Sequence, residues 1–284
     1  MRGCGTISKN HMKKKILITG ANGFVGKQIL KALANSSKDI AVVLRSGQSR
    51  PSNVSEVIFS EDIFKEDVKF WEQAFTDVDI IIHAAWYAEP GQYLHSPRNL
   101  DCLEGTLRMA KVASQSGVRR FVGIGTCFEY EQSSNTLTIE TPLLPTTPYA
   151  AAKAAVWVSL SNMLPEFGVE FVWCRLFFLT GENEDSRRLI PYIHKCLKRG
   201  DAAILSSGSQ VVDYIDVAEA ARKISAVALG DVTGAVNICS GVGKSVKEIA
   251  IGISAMYGRP DLLCFGGRPD RLTDPKRVVG LPNC

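Results

Sequence analysis

From Lys15 onward, short apolar runs alternate with stretches whose apolar positions recur at helical spacing. Lys15 to Thr19 (KILIT), Ile40 to Leu44, Val57 to Phe59, Asp79 to His83 (DIIIH), Arg120 to Ile124 and Glu170 to Leu176 read as strands. They are almost wholly apolar rather than alternating, the mark of strands buried on both faces. Between them, Lys27 to Leu33, Ser96 to Ser116 and a segment from Tyr149 to Glu166 carry the helical period. Strand alternating with helix predicts an α/β fold, a doubly wound parallel sheet with helices on both faces. In such a sheet the ligand lies at the carboxyl ends of the strands. After Phe177 the pattern loosens. Helices are expected at Arg187 to Arg199, Asp216 to Leu229 and Ser245 to Tyr257, and short strands at Ala203 to Leu205, Val211 to Ile215 and Ala235 to Ile238.

The first strand runs into Gly20-Ala21-Asn22-Gly23-Phe24-Val25-Gly26 and then a helix. Glycines at a strand-to-helix turn let a ligand approach the backbone, and a helix N-terminus favours phosphate. A dinucleotide is the expected ligand, although the spacing is Gly-x-x-Gly-x-x-Gly rather than Gly-x-Gly-x-x-Gly. The second chemical signal is Pro148-Tyr149-Ala150-Ala151-Ala152-Lys153. Proline suits a first helical turn, and residues four apart share a helix face. Tyr149 and Lys153 should therefore point the same way, the ammonium lowering the phenol's pKa from about 10 toward working pH. The expected division is a flexible extension over 1–12, a dinucleotide-binding domain over 13–176, and a mainly substrate-binding lobe over 177–284 with elements returning to the first domain.

Composition narrows the function classes. The chain has 284 residues and a net charge of only +4, and no basic run interleaves with aromatics, which argues against nucleic-acid binding. Lys13-Lys14-Lys15 reads as a solvated lead-in to the first strand. The eight cysteines include no Cys-x-x-Cys pair, so no metal site is expected, and their scatter through apolar runs suits a reducing cytoplasm. No apolar stretch is long enough to span a membrane, and the N-terminus lacks a signal peptide's apolar region.

With GANGFVG, IIIHAA, the EGT of Glu104 to Thr106, TPYAAAK, RLFFLTG, the RLIP of Arg188 to Pro191, VDYIDVAEAA and VNICSGVGKSVKEIA in order, the chain resembles the extended short-chain dehydrogenase/reductases, in the sugar-nucleotide epimerase/dehydratase branch, from Lys13 to Arg259. The resemblance implies a Rossmann domain. It makes Tyr149 the acid/base, Lys153 the ligand of the nicotinamide ribose, and Thr126 the partner of the reacting oxygen. It implies cofactor contacts from Gly20, Gly23, Phe24, Val25, Gly26, Asp62, Ile63, Ala84 and Ala85, and substrate contacts from Arg188, Asp213 and Tyr214, with Arg187 an alternative to Arg188. At the end of the second strand an acidic residue would take the ribose of NAD. Arg45 stands there instead, and a guanidinium suits the 2′-phosphate of NADP. NADP is therefore expected, with NAD the alternative.

Departures from the family pattern sharpen the reading. Dehydratases follow the catalytic threonine with Asp and Glu, whereas Thr126 is followed by Cys127 and Phe128, which disfavours dehydration. Cys102 replaces an asparagine common in epimerases, and Val212 an arginine that commonly precedes Asp213-Tyr214. The chain also stops soon after Pro275-Lys276-Arg277, so it is either naturally short or truncated. The expected activity is an NADP(H)-dependent 4-ketoreduction of a nucleotide-linked 4-keto-6-deoxyhexose, of the kind that makes CDP-abequose or dTDP-fucose. The alternatives are a 4-epimerase that retains NAD and a non-catalytic NADP sensor. Family analogy also suggests a homodimer through the Ser96–Ser116 and Tyr149–Glu166 helices.

Overall fold

The computed structural model describes residues 15–132, 136–270 and 275–284; the extension expected over 1–12 lies outside them. Seven strands form one wholly parallel sheet: β1 (Lys15–Thr19), β2 (Ile40–Arg45), β3 (Glu56–Ser60), β4 (Val78–His83), β5 (Arg120–Thr126), β6 (Glu170–Leu176) and, after a long excursion, β10 (Gly234–Ile238). Their spatial order is β10-β6-β5-β4-β1-β2-β3. The chain steps outward from β1 through β3, returns to β4 beside β1, and then proceeds the other way. The order thus reverses between β1 and β4, which opens a crevice at their carboxyl ends.

Both faces of the sheet are dry. Ile16, Ile18, Val42, Leu44, Ile80 and Ile82 pack with helices α1 (Phe24–Leu33) and α6 (Val217–Leu229). Their neighbours Leu17, Ala41, Val43 and Ile81 point the other way, onto α2 (Val68–Ala74), α3 (Arg98–Ala113) and α4 (Pro148–Glu166). Strand residues alternate between faces; because both faces are buried, the sequence shows continuous apolar runs. Helix ends follow local chemistry. Thr147 caps α4, its hydroxyl accepting from the Ala150 amide at 3.2 Å, and Pro148 occupies the first turn. Asp216 and Ser245 likewise cap α6 and α7 (Val246–Tyr257).

Between β6 and β10, and again after β10, the chain builds a second, smaller layer. Strand β9 (Val211–Asp216) is its hub, pairing in parallel with β7 (Phe178–Thr180) and β13 (Arg277–Val278) and antiparallel with β11 (Gly243–Ser245). Helices α5 (Leu189–Arg199) and α7 enclose a small core of Ile193, Leu197, Leu205, Ala250 and Ile253, flanked by the β8 (Ala203–Ile204) and β12 (Leu263–Cys264) pair. Among the described residues, no helix is long and apolar enough to cross a membrane.

Glycines on β5 show how packing dictates sequence here. Trp173 of β6 lies opposite Gly123 and is fully buried, and a Cβ on Gly123 or Gly125 would overlap its indole. The glycines leave the volume that the indole fills. Gly123→Ala should therefore cost about 1–3 kcal/mol by overpacking, lowering the thermal midpoint by about 2–4 °C per kcal/mol for a chain of this size. Thermal melting by circular dichroism checks this; an unchanged midpoint would mean that the indole moves aside freely.

Candidate active site

The crevice at the β1/β4 reversal opens into a cleft of about 690 Å³. Its floor at one end is the turn after β1. Gly20 has a positive φ of 72°, and a Cβ there would come within 2.7 Å of the Ala85 backbone. A Cβ on Gly26 would overlap the Gly20 carbonyl oxygen. Gly23 is the N-cap of α1, where no side-chain cap and no first-turn acid is found. First-turn amides have no partner within a helix, so here they suit phosphate oxygens. Ala84 and Ala85 form the facing wall, tied back to β1 by the Ala84 amide on Thr19 O at 3.2 Å. Arg45, Asp62 and Ile63 line the same end of the cleft. The cradle fits a dinucleotide: it is glycine-lined, its helix amides are uncapped, and it is long enough to continue to Tyr149.

His83 closes β4 and is sealed beneath this cradle. Its Nδ1 pairs with the Thr19 hydroxyl at 2.7 Å and its Nε2 with the Thr106 hydroxyl at 2.9 Å. Burial, and then the nearby Lys153 charge, push its pKa down to about 3, so the ring is neutral and can accept from one threonine while donating to the other.

At the other end of the cleft stand Thr126, Tyr149 and Lys153. Thr126 ends β5; Tyr149 and Lys153 lie one turn apart on α4. The Lys153 ammonium donates to Ile124 O at 2.6 Å and sits 3.7 Å from the centre of the Trp86 ring. Burial lowers its pKa to about 7, against the opposing pull of Glu129. The Tyr149 ring meets Tyr93 edge-on at 4.8 Å. Burial, then Tyr93 and Glu129, raise the phenol's pKa, and a hydrogen bond with Thr126 draws it down. This corrects the expectation that Lys153 brings Tyr149 toward neutrality. The ammonium is engaged by a carbonyl and an indole, and desolvation is the largest influence on the phenol. Tyr149 therefore rests with its proton on the phenol oxygen.

The proposed substrate residues divide. Arg188 lines the cleft, close enough to Tyr93 and Tyr214 to pull both phenols down. Arg187 is committed elsewhere, to Asp185 at 2.7 Å and to Glu89 at 2.8 Å. Tyr214 packs against Phe178 at 5.5 Å, beside the cleft rather than on its lining, and burial raises its pKa to about 12. Asp213 is a correction. Its carboxylate is fully buried and accepts from Ser240 N at 2.8 Å, Ser240 Oγ at 2.5 Å, Gly241 N at 2.9 Å and Gly280 N at 3.3 Å. It is an anchor for two turns, and no oxygen remains for a ligand.

Sequence reasoning missed part of the lining. Trp86 is fixed by its indole N–H on Asn99 Oδ1 at 2.9 Å, and Asn99 in turn donates to Tyr93 O at 2.6 Å. Both aromatics lie between β4 and α3, where no hydrophobic period marks them. Glu129 did carry a signal, because Thr126-x-x-Glu129 has the capping-box spacing, and the structure forms that box.

Comparison with known proteins agrees with this geometry. The profile of the NAD dependent epimerase/dehydratase family matches residues 16–239. A dTDP-6-deoxy-L-talose 4-dehydrogenase (NAD(+)) of Aggregatibacter actinomycetemcomitans is 25% identical over 240 residues, covering 82% of this chain and 86% of the relative. The UDP-glucose 4-epimerase of Thermotoga maritima, solved with UDP-glucose, superposes with a TM-score of 0.82 at 20% identity, over 94% of this chain and 90% of that one. WbmG of Bordetella bronchiseptica, solved with NAD and UDP, gives a TM-score of 0.77 at 25% identity, over 96% and 87%. The chain belongs to the NAD dependent epimerase/dehydratase family, the sugar-nucleotide branch of the extended short-chain dehydrogenase/reductases, and is an NAD(P)-dependent oxidoreductase of that type.

Proposed function

We propose that the protein reduces a nucleotide-linked 4-keto-6-deoxyhexose at C4, using NADPH. The observation that carries this reading is that Thr126, Tyr149 and Lys153 line one cleft with the glycine cradle, with Cys127 and Phe128 following Thr126 where a dehydratase has acids. When bound, the nicotinamide supplies the hydride to the carbonyl carbon. The Tyr149 hydroxyl gives its proton to the carbonyl oxygen, so that C=O becomes CH–OH, and the Thr126 hydroxyl holds that oxygen in place. Lys153 holds the ribose hydroxyls, and its proton can restore the phenol. Dehydration lacks its acids. Cys127 and Phe128 line the cleft without a carboxylate, burial pushes the Cys127 thiol up, and the next carboxylate along the chain, Glu129, is sealed against Arg175. The relative named as a 4-dehydrogenase of a dTDP-6-deoxy sugar supports the same redox couple, since oxidation and reduction at C4 are one equilibrium. Arg188 is the residue best placed for the substrate's diphosphate.

A second reading, 4-epimerisation with retained NAD, is supported by a 26% identical relative named as a UDP-glucose 4-epimerase. The two separate on cofactor retention: a reductase exchanges it each turnover, whereas an epimerase keeps it.

Tyr149→Phe removes the proton donor and keeps the ring packed. General-acid catalysis contributes about 10²- to 10⁴-fold, so kcat for the 4-keto sugar should fall by that range with an unchanged circular dichroism spectrum. Near-wild-type turnover would remove Tyr149 from the mechanism.

The pH dependence follows from Lys153. Its pKa of about 7 means that it is charged below that pH and neutral above it. NADPH affinity and kcat/KM for reduction should therefore be highest below pH 7 and decline as the pH rises through it. Lys153→Met should weaken NADPH binding and abolish this limb. A limb that survives in the variant would assign it to another group.

Cofactor choice rests on Arg45, which is exposed at the mouth of the cleft. A hydrogen bond to a charged group contributes about 1.5–3 kcal/mol, or roughly ten- to a hundredfold in affinity. NADPH should bind at least about tenfold tighter than NADH, and Arg45→Asp should narrow or reverse the ratio in a nicotinamide-fluorescence titration. Equal binding, or one tightly held NAD⁺ per chain after purification, would favour the epimerase; the NAD named for two similar proteins makes this the sharpest test.

A further inference from the structure

One buried charged group stands directly behind the reacting residues without touching the cleft. Glu129 lies one turn beyond Thr126 and is fully buried. Its Oε1 accepts the Thr126 amide at 2.8 Å and the Trp173 indole N–H at 3.0 Å. Its Oε2 accepts Arg175 Nε at 2.7 Å, with the indole N–H shared at 3.0 Å. In return the Thr126 Oγ1 accepts the Phe128 amide at 3.3 Å, which closes the capping box. Every one of these partners of Glu129 is a donor, so only the carboxylate form satisfies them.

The carboxylate is itself held from behind. Arg175 Nη1 donates to the Tyr130 hydroxyl at 3.0 Å, and that hydroxyl donates to Asn237 Oδ1 at 2.6 Å. The Arg175 guanidinium also lies 4.5 Å from the Tyr130 ring centre and 5.1 Å from that of Trp157. For stability alone such an ion pair has no advantage, because well-packed apolar residues of similar volume do as well or better. What an apolar pair cannot do is accept the Thr126 amide hydrogen.

We propose that Glu129 is a positioning residue for the reaction: by holding the Thr126 amide it fixes the last residue of β5 in an extended conformation and aims the Thr126 hydroxyl at Tyr149 and the reacting oxygen. The proposal rests on Thr126 and Tyr149 having the roles given to them in the proposed reduction. It differs from the acids of a dehydratase, since Glu129 exchanges no proton with substrate and acts only through Thr126 and through its charge. That charge reaches both functional groups of α4. Tyr149 is faced by Tyr93, Cys127, Thr126 and Glu129, and Lys153 by His83, Cys102, Trp86, Trp173 and Glu129. Glu129 raises the pKa of each.

The test is a cycle that a merely structural role would not satisfy. Glu129→Val combined with Arg175→Met removes both buried charges together and keeps the core apolar, so neither charge is left unpaired. Misplacing a reacting group by about 1 Å costs roughly 10²-fold; kcat on a nucleotide-linked 4-keto-6-deoxyhexose should fall by about that factor, with KM little changed. In a Thr126→Ala background the same pair of substitutions should cost little further, because no hydroxyl remains to be aimed. Equal losses in both backgrounds, or no loss in either, would overturn the proposal. A second measurement needs no sugar and keeps the side chain's size. Glu129→Gln removes the charge, so the decline of NADPH affinity with pH should move to lower pH, as read by nicotinamide fluorescence. An unmoved decline would overturn the electrostatic half of the proposal. If the wild-type protein turns over no such sugar, the substrate assignment fails by itself, and the fluorescence experiment still decides whether Glu129 acts on the site.

Discussion

A carboxylate and a guanidinium, both sealed from solvent, hold the base of the cleft together. Arg175 belongs to β6 and Glu129 to the turn after β5, and through Tyr130 the pair reaches Asn237 on β10. Asn237 then donates to Leu137 O and to Leu281 O, both at 3.2 Å, so the loop over β5 and the last described segment hang on the same network. Removing one member of a buried pair costs about 3–5 kcal/mol, because the other is left uncompensated. The neighbouring sequence is shaped by this pair. A Cβ on Gly125 would overlap both the Glu129 carboxylate and the Trp173 indole that donates to it. Asp213 does the same work in the second layer, gathering the amides of Ser240, Gly241 and Gly280 on one buried carboxylate. In each case an acid that the chain presents near a motif is a fastener for loops, and loops carry the reactive groups.

Burial also decides protonation in this cleft. A lysine beside a tyrosine in water would draw the phenol's pKa down. Here desolvation acts on both partners at once and in opposite directions, raising the phenol and lowering the ammonium. The ammonium finds its stabilisation in the Ile124 carbonyl and the face of Trp86. The result is a resting state with the proton on the phenol oxygen. His83 obeys the same rule: between two threonines it is kept neutral and structural although it lies close to Lys153.

How much of this could be read from the chain depended on how far each feature is local. The parallel strands were legible because burial on both faces writes itself as unbroken apolar runs such as IIIH. The Gly20–Gly26 turn and the Tyr149–Lys153 turn were legible because their geometry is set by adjacent residues, and the structure brings both to one cleft. Helix α2 was not anticipated, since seven residues with only Trp71 and Ala74 buried leave little periodicity. Strands β7, β11, β12 and β13 are two or three residues long and are defined by partners far along the chain, not by any pattern of their own. The site divided in the same way. Asp213 carried a motif's identity, but its environment of amide donors is assembled from two distant segments. Glu129 and Arg175 are far apart in sequence, and their pairing becomes visible only when β5 and β6 lie side by side.

The adjacent arginines before α5 show how one step of chain separates structure from function. Arg188 is the N-cap residue, so its backbone is extended and the residue before it lies outside the helix. Arg187 therefore reaches across the mouth of the cleft to Glu89, which follows β4, while Asp185 holds it from its own loop. Arg187 and Glu89 are open to solvent and Asp185 partly so, and such ion pairs are screened and contribute little. That pair can part and re-form easily, as a cleft mouth requires. Arg188 is turned inward by the same backbone geometry, toward Tyr93 and Tyr214, where a partly dry surrounding strengthens its attraction for an anion. The outer arginine thus pairs with the segment after β4, and the inner one lines the cleft.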